Sequence, residues 1–167
     1  WNLDKRYLKE LAGQGIATLP TVWQEKLDIE TLRAQALSKE WQEVVVKPVI
    51  SAGAYRTYRL STENGAGWGV LAEAYADGSA LMMQPFMPEI IAEGEWSLLF
   101  FCGRFSHCVL KTAKAGDYRI QHVHGGAYHF RTPDERLLQQ AEAVLHALPE
   151  APVYARVDGV VRDGQLL

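Results

Sequence analysis

The fold is decided by residues 44–59, which read VVVKPVISAGAYRTYR. β-Branched residues are typical of strands, so Val44–Val49 predicts a buried strand. Ser51–Ala54 predicts a loop of small residues, and Tyr55–Leu60 predicts the returning strand of a hairpin. An ammonium group inside a sheet is costly unless it is paired, so we expect Lys47 to reach water or to bind an anion.

Two interpretations of Lys47 are open at this point. A lysine at a strand end often protects a sheet edge and has no other role. Gly53, however, lies in a loop whose backbone amides are unhindered, and such amides can close around phosphate oxygens. The loop therefore favours the anion interpretation.

Composition limits the classes of function. The chain has 167 residues, is 48% hydrophobic and carries a net charge of -3, which is typical of a globular protein. The mixed charges indicate neither a nucleic-acid-binding nor a membrane-binding surface, so small molecules are the expected partners. Cys102 and Cys108 lie in apolar, strand-like segments and predict a reducing, cytoplasmic setting without disulfides.

The remaining pattern predicts an α+β fold in two halves, residues 1–79 and 80–167. The first predicted helix includes Tyr7, Leu8 and Leu11 and ends at Gly13 and Gly15. The other predicted helices are Ile29–Lys39 with Asp28 as its cap, Val70–Tyr75 and Pro133–Leu148. Ile16–Val22 is predicted to be an extended segment. Predicted strands besides the opening hairpin are Ala80–Phe86, Glu95–Phe101, Phe105–Lys111 and Val153–Val161. Ile29, Leu32, Ala36 and Leu37 are predicted to share the buried face of their helix. The chain starts at Trp1 without a methionine and stops at Leu167 in a strand-like segment, so we expect a piece of a longer protein.

Asp158 is the second distinctive residue, because it is an acid within an otherwise apolar strand. Arg156 precedes it by two positions, so both side chains point to the same face of the sheet. The simple interpretation is a structural ion pair. The functional one is a carboxylate that binds Mg²⁺, beside an arginine over a transferred phosphoryl group.

Other cations and histidines leave further alternatives. Lys111 and Arg119 flank a loop that contains glycine, and they are either surface charges or part of a site for negative charge. His122 and His124 alternate onto one face and, with His129, raise zinc binding as an alternative. No cysteine pair or acid follows at matching spacing, so hydrogen-bonded histidines are the favoured interpretation.

The order of these features resembles the ATP-grasp superfamily over nearly the whole chain. The similarity is to bacterial glutathione synthetase and the ribosomal-protein glutamate ligases. It implies two α+β lobes with ATP bound in the cleft between them.

The resemblance also implies roles for individual residues. Lys5 and Lys47 would contact the phosphates of the nucleotide, and Ser51 and Gly53 would lie in a loop (51–56) that closes over it. The hinge that reads adenine would consist of Gln84, Pro85, Phe86 and Met87. Glu89 or Glu95 would contact the ribose. Gly94-Glu95 stands where the family has Gly-Asp, and Ser97 stands where the family has an arginine. Those that would act on the transferred group are Lys111, which replaces a family arginine, Arg119 beside Gly125-Gly126, and Arg156, with Asp158 as the first Mg²⁺ ligand. The glutamate and asparagine that complete the metal site in the family would follow Leu167.

The implied reaction is ATP-dependent formation of an acylphosphate from a small carboxylic acid, followed by attack of an amine. Two alternatives are a nucleotide-binding regulatory module without catalysis and an ATP-dependent kinase on the same scaffold. The acid and amine are not predicted by the sequence, and a homo-oligomer is left open.

Overall fold

The computed structural model describes residues 2–63, 65, 67–114 and 125–167. Its helices are α1 Tyr7–Gly13, α2 Ile29–Ser38, α3 Val70–Ala74, α4 Glu89–Ala92 and α5 Glu135–His146. Its strands are β1 Val22–Gln24, β2 Glu43–Pro48, β3 Tyr58–Ser61, β4 Leu81–Pro85, β5 Glu95–Phe101, β6 Arg104–Thr112, β7 Ala127–Arg131, β8 Tyr154–Gly159, β9 Val161–Arg162 and β10 Gln165–Leu166. None of the helices in these ranges is long and apolar enough to cross a membrane.

The chain forms two compact units. The first contains residues 2–7 and Leu19–Phe86, and the second contains Leu8–Thr18 and Met87–Leu167. The sequence analysis placed Ala80–Phe86 in the second half, but β4 pairs with β1 and β2 and so belongs to the first sheet. The division between the units therefore follows Phe86.

The sheet of the first unit has the order β1-β4-β2-β3, with antiparallel neighbours. The predicted strand–loop–strand hairpin is present, with Val46 opposite Tyr58 and Glu43 opposite Ser61. The return strand was predicted from Tyr55, but it begins at Tyr58. Ala54 and Arg56 have φ angles of 58° and 51°, which a strand cannot contain.

Helix α2 begins as predicted, because the Asp28 side chain accepts a hydrogen bond from the Thr31 amide at 3.0 Å. Leu32 and Ala36 are fully buried against the sheet. Leu37, which was predicted to share that face, is 56% exposed. The adjacent position Ala36 takes the core side of the last turn.

The sheet of the second unit has the order β7-β6-β5-β8, again with antiparallel neighbours. The predicted β5–β6 hairpin is confirmed and turns at Cys102-Gly103, whose φ angles are 49° and 74°. Both cysteines are free; Cys108 is buried as predicted, whereas Cys102 is exposed because it lies in the turn. Strand β7 and the short helix α4 were not predicted.

Helix α5 covers one face of this sheet. It begins after Asp134, whose side chain accepts a hydrogen bond from the Leu137 amide at 2.7 Å, rather than at Pro133. The core consists of the buried side chains Leu98, Phe100, Cys108, Leu137, Ala141, Leu145 and Leu166.

The predicted final strand Val153–Val161 is divided in the structure. Strand β8 ends at Gly159, and β9 and β10 then form a small hairpin that returns Leu166 to the core. A Cβ atom on Gly159 would lie 2.7 Å from the carbonyl oxygen of Leu167. The close return of the chain therefore requires glycine at this position.

Two leucines of helix α2, one buried and one exposed, allow a matched test of the core of the first unit. Leu32→Ala should lower the free energy of unfolding by about 2–5 kcal/mol, because it leaves a cavity beside the sheet. Leu37→Ala is the same change on the exposed side and should cost less than about 0.5 kcal/mol. Urea denaturation of both variants measures the difference, and equal losses would contradict this assignment of the buried face.

Candidate functional site

Lys47 lies on the face of the first sheet that points away from the core. Val44, Val46 and Pro48 are buried, and Lys47 alternates with them and is half-buried. Directly opposed residues of antiparallel strands share a face. Met82 lies opposite Lys47, so both belong to the same surface of the sheet.

Lys5 is placed beside the loop that follows β2. Its backbone amide donates to the carbonyl oxygen of Val49 at 3.0 Å. Its ammonium donates to the carbonyl oxygen of Ser51 at 2.7 Å and to the Ser51 hydroxyl at 3.0 Å. Burial lowers the pKa of Lys5, and the charge of Asp4 partly opposes that effect. The structure thus brings together two residues that the sequence analysis linked only by resemblance.

The loop 51–57 is held at both ends. Lys5 holds its beginning, and Arg56 holds its end through an ion pair with Asp77 at 2.7 Å. The Tyr75 hydroxyl also donates to the carbonyl oxygen of Arg56 at 3.1 Å. Between these anchors, a Cβ atom on Gly53 would meet nothing within 4 Å. The middle of the loop therefore has room for an anion close to its backbone.

The predicted hinge begins with a buried glutamine. Gln84 is 4% exposed, and its side-chain nitrogen donates to the Thr21 hydroxyl at 2.9 Å. The Phe86 amide donates to the carbonyl oxygen of Glu43 at 2.8 Å and so continues the pairing of β4 with β2. Met87 is buried and belongs to the second unit.

In the second unit, strand register gathers charge on the sheet face opposite the core. Glu95 lies opposite Lys111, and Ser97 lies opposite Asp158. Arg156 is two positions from Asp158 and shares its face, as predicted. Residues from three different strands therefore meet in one cluster.

The cluster is a hydrogen-bonded charge network. The Lys111 ammonium is 2.8 Å from Glu95 Oε1 and 3.3 Å from Asp158 Oδ1. The Arg156 guanidinium lies 2.8 Å from each oxygen of Asp158. The hydroxyl of Ser97, which is 1% exposed, also donates to Asp158. Two acids and two bases thus neutralise one another on this face.

Burial shapes the acid–base properties of the network. The Lys111 and Glu95 side chains are only 12% and 24% exposed. Burial raises the pKa of Glu95, and the nearby Asp158 raises it further, while Lys111 lowers it. The bond to Asp158 raises the pKa of Arg156.

A carboxylate of this kind suits magnesium, which binds one or two protein carboxylates together with phosphate oxygens. Asp158 is 31% exposed and presents two oxygens. Among the described residues, no group of three or more histidine, cysteine or acidic side chains forms a complete metal site.

Other residues that were predicted to belong to the site are not members of this network. Glu89 is held by Arg162, at 2.5 and 2.9 Å, and this bond lowers the pKa of Glu89. His129 Nε2 is 3.2 Å from the Thr112 hydroxyl. Arg119, His122 and His124 lie outside the described residues, so their proposed roles stay predictions.

Ser97 was not predicted to belong to the site, since the resemblance marked its position only as one where the family has an arginine. A small polar residue between Trp96 and Leu98 was the available signal. It sits directly opposite Asp158 only because β5 and β8 pair in this register. Such long-range pairing is not encoded in the local pattern.

The anchor of the loop can be tested by proteolysis. Asp77→Asn removes the charge that holds Arg56, so trypsin should cleave after Arg56 several times faster than in the unaltered protein. Glu73→Gln removes a carboxylate from helix α3 and should leave the rate unchanged. Equal cleavage rates in all three proteins would contradict the anchoring role of Asp77.

The same ion pair predicts a specific titration. Arg56 chiefly, with help from Ser79, lowers the pKa of Asp77 from 3.8 to about 2. The stabilisation is therefore fully present above pH 3.8 and is lost as the pH falls through about 2. NMR titration of the Asp77 carboxyl group should show this midpoint, and a midpoint near 3.8 would show that the pair does not form.

The charge network predicts a coupled loss of stability. Lys111→Met leaves Glu95 and Asp158 without a shared cation and should cost about 1–3 kcal/mol of unfolding free energy at neutral pH. The loss should shrink at lower pH, because a protonated Glu95 needs no cation. Adding Glu95→Gln to the Lys111→Met protein should recover part of the lost unfolding free energy. Lys114→Met, a change at an exposed lysine, is the control and should have little effect. Strictly additive losses in the double variant would contradict the coupling.

Comparisons with known proteins agree with this architecture. The family described as "Prokaryotic glutathione synthetase, ATP-grasp domain" matches residues 11–156. The cycloserine biosynthesis protein DcsG of Streptomyces lavendulae is 32% identical over 165 residues, which cover 94% of this chain and 52% of that protein. The chain thus spans about half the length of this curated relative.

Solved structures show the same fold. The crystal structure of D-cycloserine synthetase DcsG superposes with a TM-score of 0.80 and 26% identity, over 99% of this chain and 60% of that one. The D-alanine–D-alanine ligase of Bacillus anthracis superposes with a TM-score of 0.72 and 21% identity, over 98% of this chain and 53% of that one. The chain therefore belongs to the ATP-grasp superfamily, in the family of prokaryotic glutathione synthetase ATP-grasp domains.

Proposed function

We propose that this chain is the ATP-binding part of a carboxylate–amine ligase. The observation that carries the proposal is the network of Lys111, Glu95, Asp158 and Arg156 on one sheet face of an ATP-grasp domain, in which Lys111 and Glu95 are mostly buried. Cations held beside a carboxylate suit a reaction in which phosphate charge is held and transferred.

The first unit would bind the nucleotide. Lys47 and Lys5 hold the phosphates, and the amides around Gly53 close over them. The 2.7 Å bond from Lys5 to the Ser51 carbonyl oxygen supports this role, because it already ties the lysine to the loop. The hinge Gln84–Met87 would read the adenine edge through its backbone, and Glu89 or Glu95 would contact the ribose.

The second unit would act on the transferred phosphoryl group. Asp158 would bind Mg²⁺, and the ion would supply positive charge to the phosphate oxygens. Arg156, Lys111 and Arg119 would stabilise the negative charge that develops on the acylphosphate and the tetrahedral species. No side-chain nucleophile is needed, so positioning supplies most of the rate.

The proposed reaction has two steps. A carboxylate oxygen of the acid attacks the γ-phosphorus of ATP, and ADP leaves. The amine then attacks the carbonyl carbon of the acylphosphate, and inorganic phosphate leaves. The 32% identity to a cycloserine biosynthesis protein supports a small amino acid or a related acid as one substrate. The free cysteines support a cytoplasmic location.

A hydroxylamine trap distinguishes this function from its alternatives. The full-length protein is incubated with ATP, Mg²⁺ and a panel of amino acids and small dicarboxylates, and both phosphate release and hydroxamate formation are measured. A ligase should give acid-dependent hydroxamate and phosphate in equal amounts. A stable phosphorylated product would instead indicate a kinase, and ATP binding without turnover would indicate a regulatory module.

Lys47 provides the matching variant. Lys47→Ala should lower the rate by at least about 100-fold, because it removes a positioned charge from the phosphates. Lys26→Ala, at an exposed lysine of the same unit, should keep the rate. A Lys47→Ala protein that is folded by circular dichroism and has unchanged turnover would contradict the proposed role.

A further inference from the structure

We propose that Arg59 is a positioning residue for adenine binding. It acts through Phe86, and the proposal rests on the nucleotide-binding function above. Arg59 lies on β3 and Phe86 directly follows β4, so the two are brought together only by the folded sheet. The Arg59 guanidinium carbon lies 3.6 Å from the centre of the Phe86 ring.

Glu43 connects the two residues. Its carboxylate accepts hydrogen bonds from Arg59 Nε at 3.0 Å and from Arg59 Nη2 at 2.7 Å. Its backbone oxygen accepts the Phe86 amide at 2.8 Å. One residue of β2 therefore fixes the Phe86 backbone directly and the Phe86 ring through Arg59.

This arrangement lies on the sheet face that carries Lys47. Glu43 and Lys47 are four residues apart on β2 and point to the same side, which places them roughly 13 Å apart along the strand. Arg59 lies opposite Val45, between them. The stacked pair of Arg59 and Phe86 therefore lies at the end of this face that is next to the proposed hinge. Lys47 lies at the end that is proposed to bind the phosphates.

The geometry requires arginine. A planar guanidinium can fork onto a carboxylate and stack on a ring at the same time, whereas an ammonium group cannot do both. The ion pair between Arg59 and Glu43 is partly exposed, since the two side chains are 30% and 42% accessible. Stability therefore depends little on this pair, and the orientation of the Phe86 ring is its main consequence.

The test separates base recognition from phosphate recognition. In the full-length protein, Arg59→Lys should weaken ATP binding about tenfold, because the ring and the hinge backbone lose their support. Binding of inorganic tripolyphosphate should change less than about twofold, since Lys5 and Lys47 are untouched. Isothermal titration calorimetry measures both, and Arg104→Lys at the exposed start of β6 is the control.

Two further variants make the result decisive. Glu43→Gln keeps the backbone acceptor and loses the fork, so it should weaken ATP binding in the same direction by a smaller factor. Phe86→Leu combined with Arg59→Lys should cost no more than Phe86→Leu alone, because the two residues act as one unit.

Each outcome has a defined meaning. Unchanged ATP affinity in Arg59→Lys and Glu43→Gln, with normal binding by the unaltered protein, would overturn the role of Arg59 and leave the nucleotide-binding function intact. Equal losses for ATP and tripolyphosphate would also overturn it, because they would indicate a general disturbance. Absence of ATP binding in the unaltered protein would instead refute the proposed function.

Discussion

The two sheets share one constraint, which is that each must bury an apolar face. In the first unit Val44 and Val46 pack into the core, so Lys47 is turned to the other side. In the second unit Leu98 and Val157 pack towards α5, so Ser97 and Asp158 are turned away from it. Alternation along each strand therefore separates the core from the candidate site.

The cost of burying charge explains the composition of the second-unit cluster. Lys111 alone would be destabilised by desolvation, because its side chain is only 12% exposed. Together with Glu95, Asp158 and Arg156 it forms a balanced network in which each charge has an opposite neighbour within 3.3 Å. A bound phosphate or metal would have to compete with these bonds, so the network holds the side chains in place before a ligand arrives.

Local patterns in the sequence predicted much of the fold. The run Val44–Val49, the Asp28 cap and the Cys102-Gly103 turn each carry a strong local signal, and the structure contains the predicted element in each case. The predicted bounds of the strands are wrong where contacts between residues that are distant in the sequence determine the backbone conformation. Tyr55–Thr57 is held out of β3 by the anchored Arg56, and Val153–Val161 is interrupted where Leu167 returns to Gly159.

The candidate site was predicted less completely, for the same reason. Lys47, Arg156 and Asp158 are visible in the sequence because a charge interrupts an apolar strand. The roles of Ser97 and Arg59 were not predicted, because they depend on the register with which strands pair in the folded sheets. The family resemblance gave residue roles, whereas the contacts that support those residues required the structure.

The proposed role of Asp158 and its neighbours is to hold a metal–nucleotide complex. Calorimetric titration of ATP into the full-length protein, with and without Mg²⁺, measures this role. We expect Mg²⁺ to strengthen ATP binding to the unaltered protein and to Asp163→Asn, and we expect Asp158→Asn to lose this gain while still binding ATP without Mg²⁺. An equal gain from Mg²⁺ in the Asp158→Asn protein would show that Asp158 does not hold the metal.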